Sequence, residues 1–418
     1  MLTGEGYIGR VLSDEEIRKI CTAALEPVKN EKLLFIIPDH TRTAPMDVLF
    51  REIYRVMAPV SGHVDFLIAL GTHPPMNEKM ILERAGMTRE QWKDRYAKAR
   101  FFNHYWDDPS QLVSAGILPE SEMSEISEGL LEREVNVTVN KMVLDYDRLI
   151  IAGPVFPHEV VGFSGGNKYL FPGIAGEEII HFFHWLGALI TNMEIIGKIH
   201  TPVRRVVDRA AALLQKPVDC LAMVVEDGRL AGLFAGESRE AWFEAAKLSE
   251  QLHILYKDRP FERVLSCAPK MYDDLWTGAK CMYKLEPVVA DGGEVIIYAP
   301  HISELSVTHG DKIMQIGYHV RDYFLKQWNR FKDFPGGIMA HSTHVKGTGT
   351  YIDGIEKARI RVILATSIPE SVCRKIDLRY RDPASVDPHE WMNREAEGIL
   401  YVPRAGEKLF RLKSEHTG

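Results

Sequence analysis

The run Leu33–Pro38, LLFIIP, has six positions without a polar side chain and stops at Asp39-His40-Thr41-Arg42. A strand wetted on one face would alternate. An unbroken apolar run this short suits a strand covered on both faces, as in a parallel sheet. Outward from it, similar runs recur at Val64–Leu70, Asp147–Val155 and Leu221–Glu226. Helical patterns fill the gaps: Asp14–Leu25, Pro45–Val56, Met76–Ala85, Glu177–Ile190 and Val203–Leu214. Asp227-Gly228 predicts a hairpin turn within Glu226–Phe234, ahead of a helix from Glu237. A second series starts near Phe261. Its expected strands are Val264–Ala268, Glu294–Ala299, Gly337–Ala340 and Arg361–Ala365. Its expected helices are Asp274–Val289, Lys312–Ile316 and Val320–Asn329. The alternation predicts an α/β chain of two doubly wound domains with a ligand cleft between them. The polar connector Lys257-Asp258-Arg259-Pro260 sets the expected domains at 1–259 and 260–381. Strand-like Gly398–Pro403 and Lys408–Leu412 suggest that 382–418 returns to the N-terminal domain.

Composition narrows the function classes. The 418 residues carry 51 Lys+Arg against 58 Asp+Glu, a formal charge of -7, which argues against a nucleic-acid coat. With 45% hydrophobic and 26% charged residues, the chain has the make-up of a folded globular protein. Five scattered cysteines without a CxxC form neither a disulfide framework nor a zinc ribbon, so a reduced, cytoplasmic setting is expected. The start, MLTGEGYIGR, has no apolar signal segment. Ile179–Gly197 is the longest near-apolar stretch, and its His181, His184, Asn192 and Glu194 make it a buried helix, not a membrane span.

Chemistry-bearing residues gather after the strands. The densest segment is Pro157–Gly176, PHEVVGFSGGNKYLFPGIAG, where Ser164, Gly165, Gly166 and Lys168 sit among glycines that let backbone N–H groups approach an anion. It is not a P-loop, because Lys168 is followed by Tyr169. An ordinary glycine turn with a solvated lysine is the plain alternative. His181 and His184 share a helix face, as ligands or as satisfied core residues. Asp39-His40-Thr41-Arg42 follows the first strand, where an Arg can clamp a carboxylate and Asp39 or Thr43 can cap a helix. Gly71-Thr72-His73 opens the next helix, which suits an anion. Asn103-His104 follows at some distance.

Taken together and in this order, these clusters resemble the nickel-pincer lactate racemase family. The resemblance rests on DHTR at 39–42, ALGTH at 69–73, NH at 103–104, the block at 157–176 and His184. It continues through VVEDGRLAGLFAGE at 224–237, DLWTGAK at 274–280 and DGGEVII at 291–297. It implies a racemase or epimerase of 2-hydroxy acids whose cleft holds cofactor and substrate. The implied cofactor is a nickel-pincer nucleotide, the nickel complex of pyridinium-3,5-bisthiocarboxylic acid mononucleotide, attached covalently at Lys168. His184 would be the protein ligand to nickel, and His104 and His158 the acid/base pair. Arg42 would hold the substrate carboxylate and Lys280 would lie near its hydroxyl, with Asp39 and Thr41 shaping the site. Gly71, Thr72, His73, Ser164, Gly165 and Gly166 would be candidates for the nucleotide phosphate.

Where the lactate enzymes carry Tyr-Gln, this chain has Trp276-Thr277 ahead of Lys280. The expected substrate is therefore longer or more polar than lactate, such as a diacid or a sugar acid. Expected partners are that small acid, the enzymes that build the cofactor, and a second copy in a homodimer; neither nucleic acid nor membrane is expected. Two other classes compete. An NAD-linked oxidoreductase would need a GxGxxG after a strand, which is missing. A non-catalytic nickel or nucleotide carrier would not need His104, His158, Lys168 and His184 together.

Overall fold

The computed structural model describes residues 2–415. The chain divides into two compact units. Unit 1 comprises Met1–Phe156, Phe163–Ile180 and Ile199–Leu252. Unit 2 comprises Pro157–Gly162, His181–Lys198 and His253–Gly418.

Unit 1 is built on a seven-stranded sheet: β1 (Thr3–Gly6), β2 (Leu33–Pro38), β3 (Val64–Ala69), β4 (Ala99–Asn103), β5 (Arg148–Pro154), β6 (Val218–Glu226) and β7 (Arg229–Glu237). Their order is β1-β7-β6-β5-β2-β3-β4. The five strands from β6 to β4 are parallel, and β7 and β1 add antiparallel edges. All six residues of LLFIIP are buried, as a strand covered on both faces requires. Asp227, at φ 48°, and Gly228, at φ 78°, make the two-residue turn between β6 and β7. Helix α1 (Asp14–Leu25) begins at a capping box. Glu16 N–H donates to Ser13 Oγ at 3.3 Å, and Ser13 N–H donates back to Glu16 Oε2 at 2.7 Å. Its Ile17, Ile20, Cys21 and Leu25 face the core with Leu49, Phe50 and Ile53 of α2 (Met46–Met57). The chain runs β2, β3, β4 to one side and then returns to place β5 on the other side of β2. That reversal creates a switch point between β2 and β5, where ligands of open α/β sheets bind.

Unit 2 has an all-parallel five-stranded sheet: β8 (Phe261–Cys267), β9 (Val289–Ala299), β10 (Arg361–Thr366), β11 (Arg379–Tyr380) and β12 (Ile399–Val402), in the order β11-β10-β9-β8-β12. Its switch point lies between β8 and β12.

Three expectations are corrected. The segment 382–418 lies in unit 2: β12 pairs with β8, and Leu409–Leu412 pairs with Ile254–Lys257. Gly337–Ala340 is not a strand but part of helix α6 (Gly336–Lys346), following α3 (Glu177–Ile190), α4 (Pro202–Ala212) and α5 (Ser238–His253) in chain order. Every residue from Gly337 to Val345 is buried, so no polar face reveals the helical period. The single helix expected over Asp274–Val289 is three short turns, Leu275–Gly278, Lys280–Tyr283 and Glu286–Val288, broken around Ala279 and before Pro287.

Segments 157–162 and 181–198 leave the N-terminal stretch for unit 2. Gly337 N–H donates to His181 Nδ1 at 3.2 Å, Asn192 Nδ2 to Tyr283 O at 3.0 Å, and Arg321 Nη1 to Leu189 O at 2.8 Å. All five cysteines are buried and unpaired. Among the described residues, no helix is long and apolar enough to cross a membrane.

Candidate active site

In unit 1 the candidate clusters leave the carboxyl ends of four adjacent strands. Asp39–Arg42 follows β2, Gly71–His73 follows β3, His104 follows β4, and the segment leading to Lys168 follows β5. Asp39 is buried and both of its oxygens are engaged. Thr41 donates to Oδ1 from N at 3.1 Å and from Oγ1 at 2.8 Å, and His73 Nδ1 meets Oδ2 in a short contact. Burial alone would raise the Asp39 carboxyl. His73, Arg42 and Thr41 outweigh it and hold the group far below the usual carboxylate range. A carboxylate fixing one ring nitrogen turns the other away from it, the arrangement that orients an imidazole for proton transfer.

Two basic or amide groups that sequence reading passed over complete this side. Arg84, on the helix Glu78–Ala85, donates from Nη1 to Ala44 O at 3.2 Å, while its Nε and Nη2 are buried without a hydrogen-bond partner. Burial lowers this guanidinium, and the charge of Asp39 counteracts that effect. Asn140 holds His104: Asn140 Nδ2 donates to His104 Nδ1 at 3.2 Å, and His104 Nε2 pairs with Ala175 O at 2.9 Å. His104 is 1% exposed, and burial pushes it down to about 4, so it is neutral at physiological pH. Neither residue has a local signal. Arg84 reads as one charge on an exposed helix, and Asn140 as a residue at a strand end.

The glycine-rich turn is internally braced. Ser164 Oγ donates to Pro154 O at 3.2 Å and accepts from Phe156 N–H at 2.9 Å; Ser164 N–H donates to Phe156 O at 2.8 Å. Gly166 N–H is directed at the Cys220 sulfur. In the other candidate anion loop, Gly71 N–H donates to Gly173 O at 2.9 Å and His73 N–H to Leu70 O at 2.9 Å. Most amides of both loops are therefore committed to the fold. Lys168 is half-buried on the short turn Gly166–Tyr169.

Unit 2 holds the remaining candidates. His158 Nδ1 accepts from Val160 N–H at 3.1 Å and lies 3.2 Å from Glu159 Oε2, a carboxylate placed to stabilise the protonated ring. On α3, every residue from Ile179 to Leu189 is buried except His181 and His184. His181 is engaged by Gly337, and the His184 ring packs 4.2 Å from that of Phe183. Trp276 stacks on His341 with centroids 4.0 Å apart and planes 11° apart, and lies 4.6 Å from His309. Asp274 caps the turn Leu275–Gly278: its Oδ1 accepts from Thr277 N–H at 3.0 Å and from Thr277 Oγ1 at 2.9 Å. Lys280 lies 4.6 Å from the Tyr272 ring centroid. His104, Lys168, Arg42, Asp39 and His73 thus share one unit, and His158, His184, Trp276 and Lys280 the other.

Residues 14–195 match the model of the lactate racemase N-terminal domain. The chain is 24% identical over 305 residues to the lactate racemase of Thermoanaerobacterium thermosaccharolyticum, covering 69% of this chain and 66% of that protein. It is 25% identical over 213 residues to the lactate racemase of Lactiplantibacillus plantarum, covering 50% of this chain and 46% of that one. The matches thus span less than two thirds of either relative's length. A Thermotoga maritima protein of known crystal structure is 33% identical, with a TM-score of 0.90 over 97% of this chain and 100% of that one. The lactate racemase apoprotein of T. thermosaccharolyticum shares the fold, at 19% identity and a TM-score of 0.70 over 94% of this chain and 92% of that one. Residues 14–195 thus carry the N-terminal domain of the lactate racemase family, and the chain is similar to lactate racemases in sequence and fold.

Proposed function

We propose that the chain is an isomerase that inverts C2 of a 2-hydroxy acid with a nickel-pincer nucleotide. The observation that carries the reading is the row of Asp39–Arg42, His73, His104 and the Lys168 turn at the carboxyl ends of β2 to β5, around one switch point. The residues present fit the cofactor. Lys168 offers a half-buried amine for its covalent attachment, and His184 a ring nitrogen on an otherwise buried stretch of helix for nickel. When bound, the cofactor supplies a hydride-accepting centre.

The chain's own groups do the rest. Arg42 holds the carboxylate, bidentately. His104 or His158 would take the proton of the substrate hydroxyl and later give it back. In His104 the lone pair is at Nδ1, now bonded by Asn140, so a substrate hydroxyl would take the place of the Asn140 amide. In His158 the proton sits at Nε2, with Glu159 beside Nδ1. Lys280 would lie near the hydroxyl.

The substrate we propose is longer or more polar than lactate. The Trp276 indole is held by stacking on His341 and by the pairing of His341 Nε2 with Trp276 O at 3.3 Å. A fixed indole in place of Tyr-Gln changes the shape offered to C3. The relatives' own names make lactate the second reading. The test is chiral product analysis across 2-hydroxy acids, using protein produced with the cofactor-making enzymes. Inversion of a diacid or sugar acid faster than lactate, with a mass adduct on Lys168, is the expected result. Inversion of lactate alone would remove the substrate claim. Full activity without an adduct would remove the attachment, and no inversion of any acid would remove the function.

A further inference from the structure

Arg84 sits in the last turn of the helix Glu78–Ala85, against the loop that carries Arg42. Its Nη1 donates at 3.2 Å to the carbonyl of Ala44, two residues on from Arg42. Its Nε and Nη2 are buried and meet no acceptor. It lines a small apolar pocket with Ile37, Met46, Phe50 and Ile81. The carboxylates that attract it are Asp39 and Asp47, and neither is bonded to it. Asp39 accepts from Thr41 and meets His73, while Asp47 is paired with Arg51 at 2.9 Å.

A guanidinium set against apolar side chains, with one carbonyl as its only bonded acceptor, is a poor source of stability. Burying a charge without a bonded counter-ion is costly, and exchanging buried charge for apolar volume is often neutral or stabilising. The charges around the loop give the position another reason. Asp39 is ionised and attracts Arg42. Asp47 is answered by Arg51. Tyr169 lies in the field of Asp39, Arg42 and Arg84 and is itself kept a neutral phenol by burial. Asp39 therefore cancels one of two arginine charges. Without Arg84, Asp39 and Arg42 would sum to zero; with it, the carboxyl end of β2 carries one net positive charge. His73 adds to that sign when protonated and takes nothing from it when neutral. Among apolar side chains a field is weakened far less than in water, so a charge need not touch an anion to attract it.

We infer that Arg84 is a positioning residue for anionic ligands of the Asp39–Arg42 loop: it keeps the loop net positive and so draws a carboxylate to Arg42 without touching it. This rests on the reading of Arg42 as the holder of the substrate carboxylate.

The test is calorimetric titration with lactate, malate and gluconate, on full-length protein produced with the cofactor-making enzymes. Arg84→Met removes the charge and fills the same apolar space. Arg84→Gln removes the charge and keeps an N–H for Ala44 O. Arg84→Lys keeps the charge. The two neutral variants should bind the acid about fivefold more weakly or worse, and Arg84→Lys should stay within about twofold of wild type, as a through-space charge effect requires. The thermal midpoint of Arg84→Met should equal or exceed that of wild type, which a residue placed for stability would not allow. If Arg84→Met does not fold, Arg84→Gln decides. Wild-type affinity in either folded neutral variant overturns the inference. So does Arg84→Lys binding as weakly as the neutral variants, because the bond and not the charge would then matter. Failure of both neutral variants to fold overturns it too, as does a wild type that binds none of the three acids. Arg84-dependent binding in a wild type that inverts no acid would instead remove the proposed function and leave this inference standing.

Discussion

Asp39 has no oxygen to spare. Thr41 occupies one and His73 the other, and the carboxylate is kept ionised against its burial. Arg42 stands three residues on, and its planar fork matches a substrate carboxylate in a way a lysine cannot. Arg42→Lys should lower kcat/KM about tenfold or more while shifting the thermal midpoint by no more than a degree or two. Steady-state kinetics and a melting curve on the same preparation check both halves. Activity equal to wild type would mean that charge alone suffices at this position. The DHTR cluster was legible because strand, loop and charge adjoin in sequence. The Asp39–His73 bond was not, because 34 residues separate its partners and only the pairing of β2 with β3 brings them together. Asn140 stands 36 residues from His104, so its role likewise depends on packing that no local pattern records.

Elements were readable wherever one face differs from the other or a turn is chemically specified. LLFIIP, the capped α1 and the Asp-Gly hairpin each carry such a signal. Helix α6 does not, since burial on all sides erases its period. The hairpin of Leu112–Leu118 with Val135–Asn140 was also missed. Its strands are interrupted by the helix Glu120–Ile126 and a shift in register at Gly116, so no short turn marks it. Helix α3 shows what one element can do with two histidines a turn apart. His181 accepts a hydrogen bond from the backbone of α6; His184 packs against Phe183. His184→Ala should abolish nickel retention by protein produced with the cofactor-making enzymes, read by elemental mass spectrometry. His181→Ala should retain nickel but lose about 1–3 kcal/mol of stability, the cost of leaving the Gly337 N–H without its acceptor. The opposite pattern would exchange the two roles.

At the scale of the molecule, both units carry histidines kept neutral by burial. His104 in unit 1 is pushed down to about 4; in unit 2, His341 is pushed down to about 3 and His344 to about 4. A lowered folded value means that the unfolded chain binds protons first. Stability is therefore complete above about pH 6.5 and falls as the pH drops towards 4, by about 3 kcal/mol for each such ring. Urea midpoints measured from pH 7.5 to 4.5 should decline steadily below 6.5; a flat profile would show that these rings are not buried neutral. With two such rings against one, unit 2 should weaken first. The five buried cysteines make that order visible. Burial raises Cys267 and Cys373 to about 11 and Cys21 and Cys281 to about 12, with Cys220 higher still. An alkylating reagent thus finds no thiolate in the native chain and reacts only when a segment opens, so each modified cysteine timestamps one opening. Cys21 and Cys220 keep time for one unit and Cys267, Cys281 and Cys373 for the other, so the protein carries its own pair of unfolding clocks, read by the mass of a peptide and needing no engineered probe.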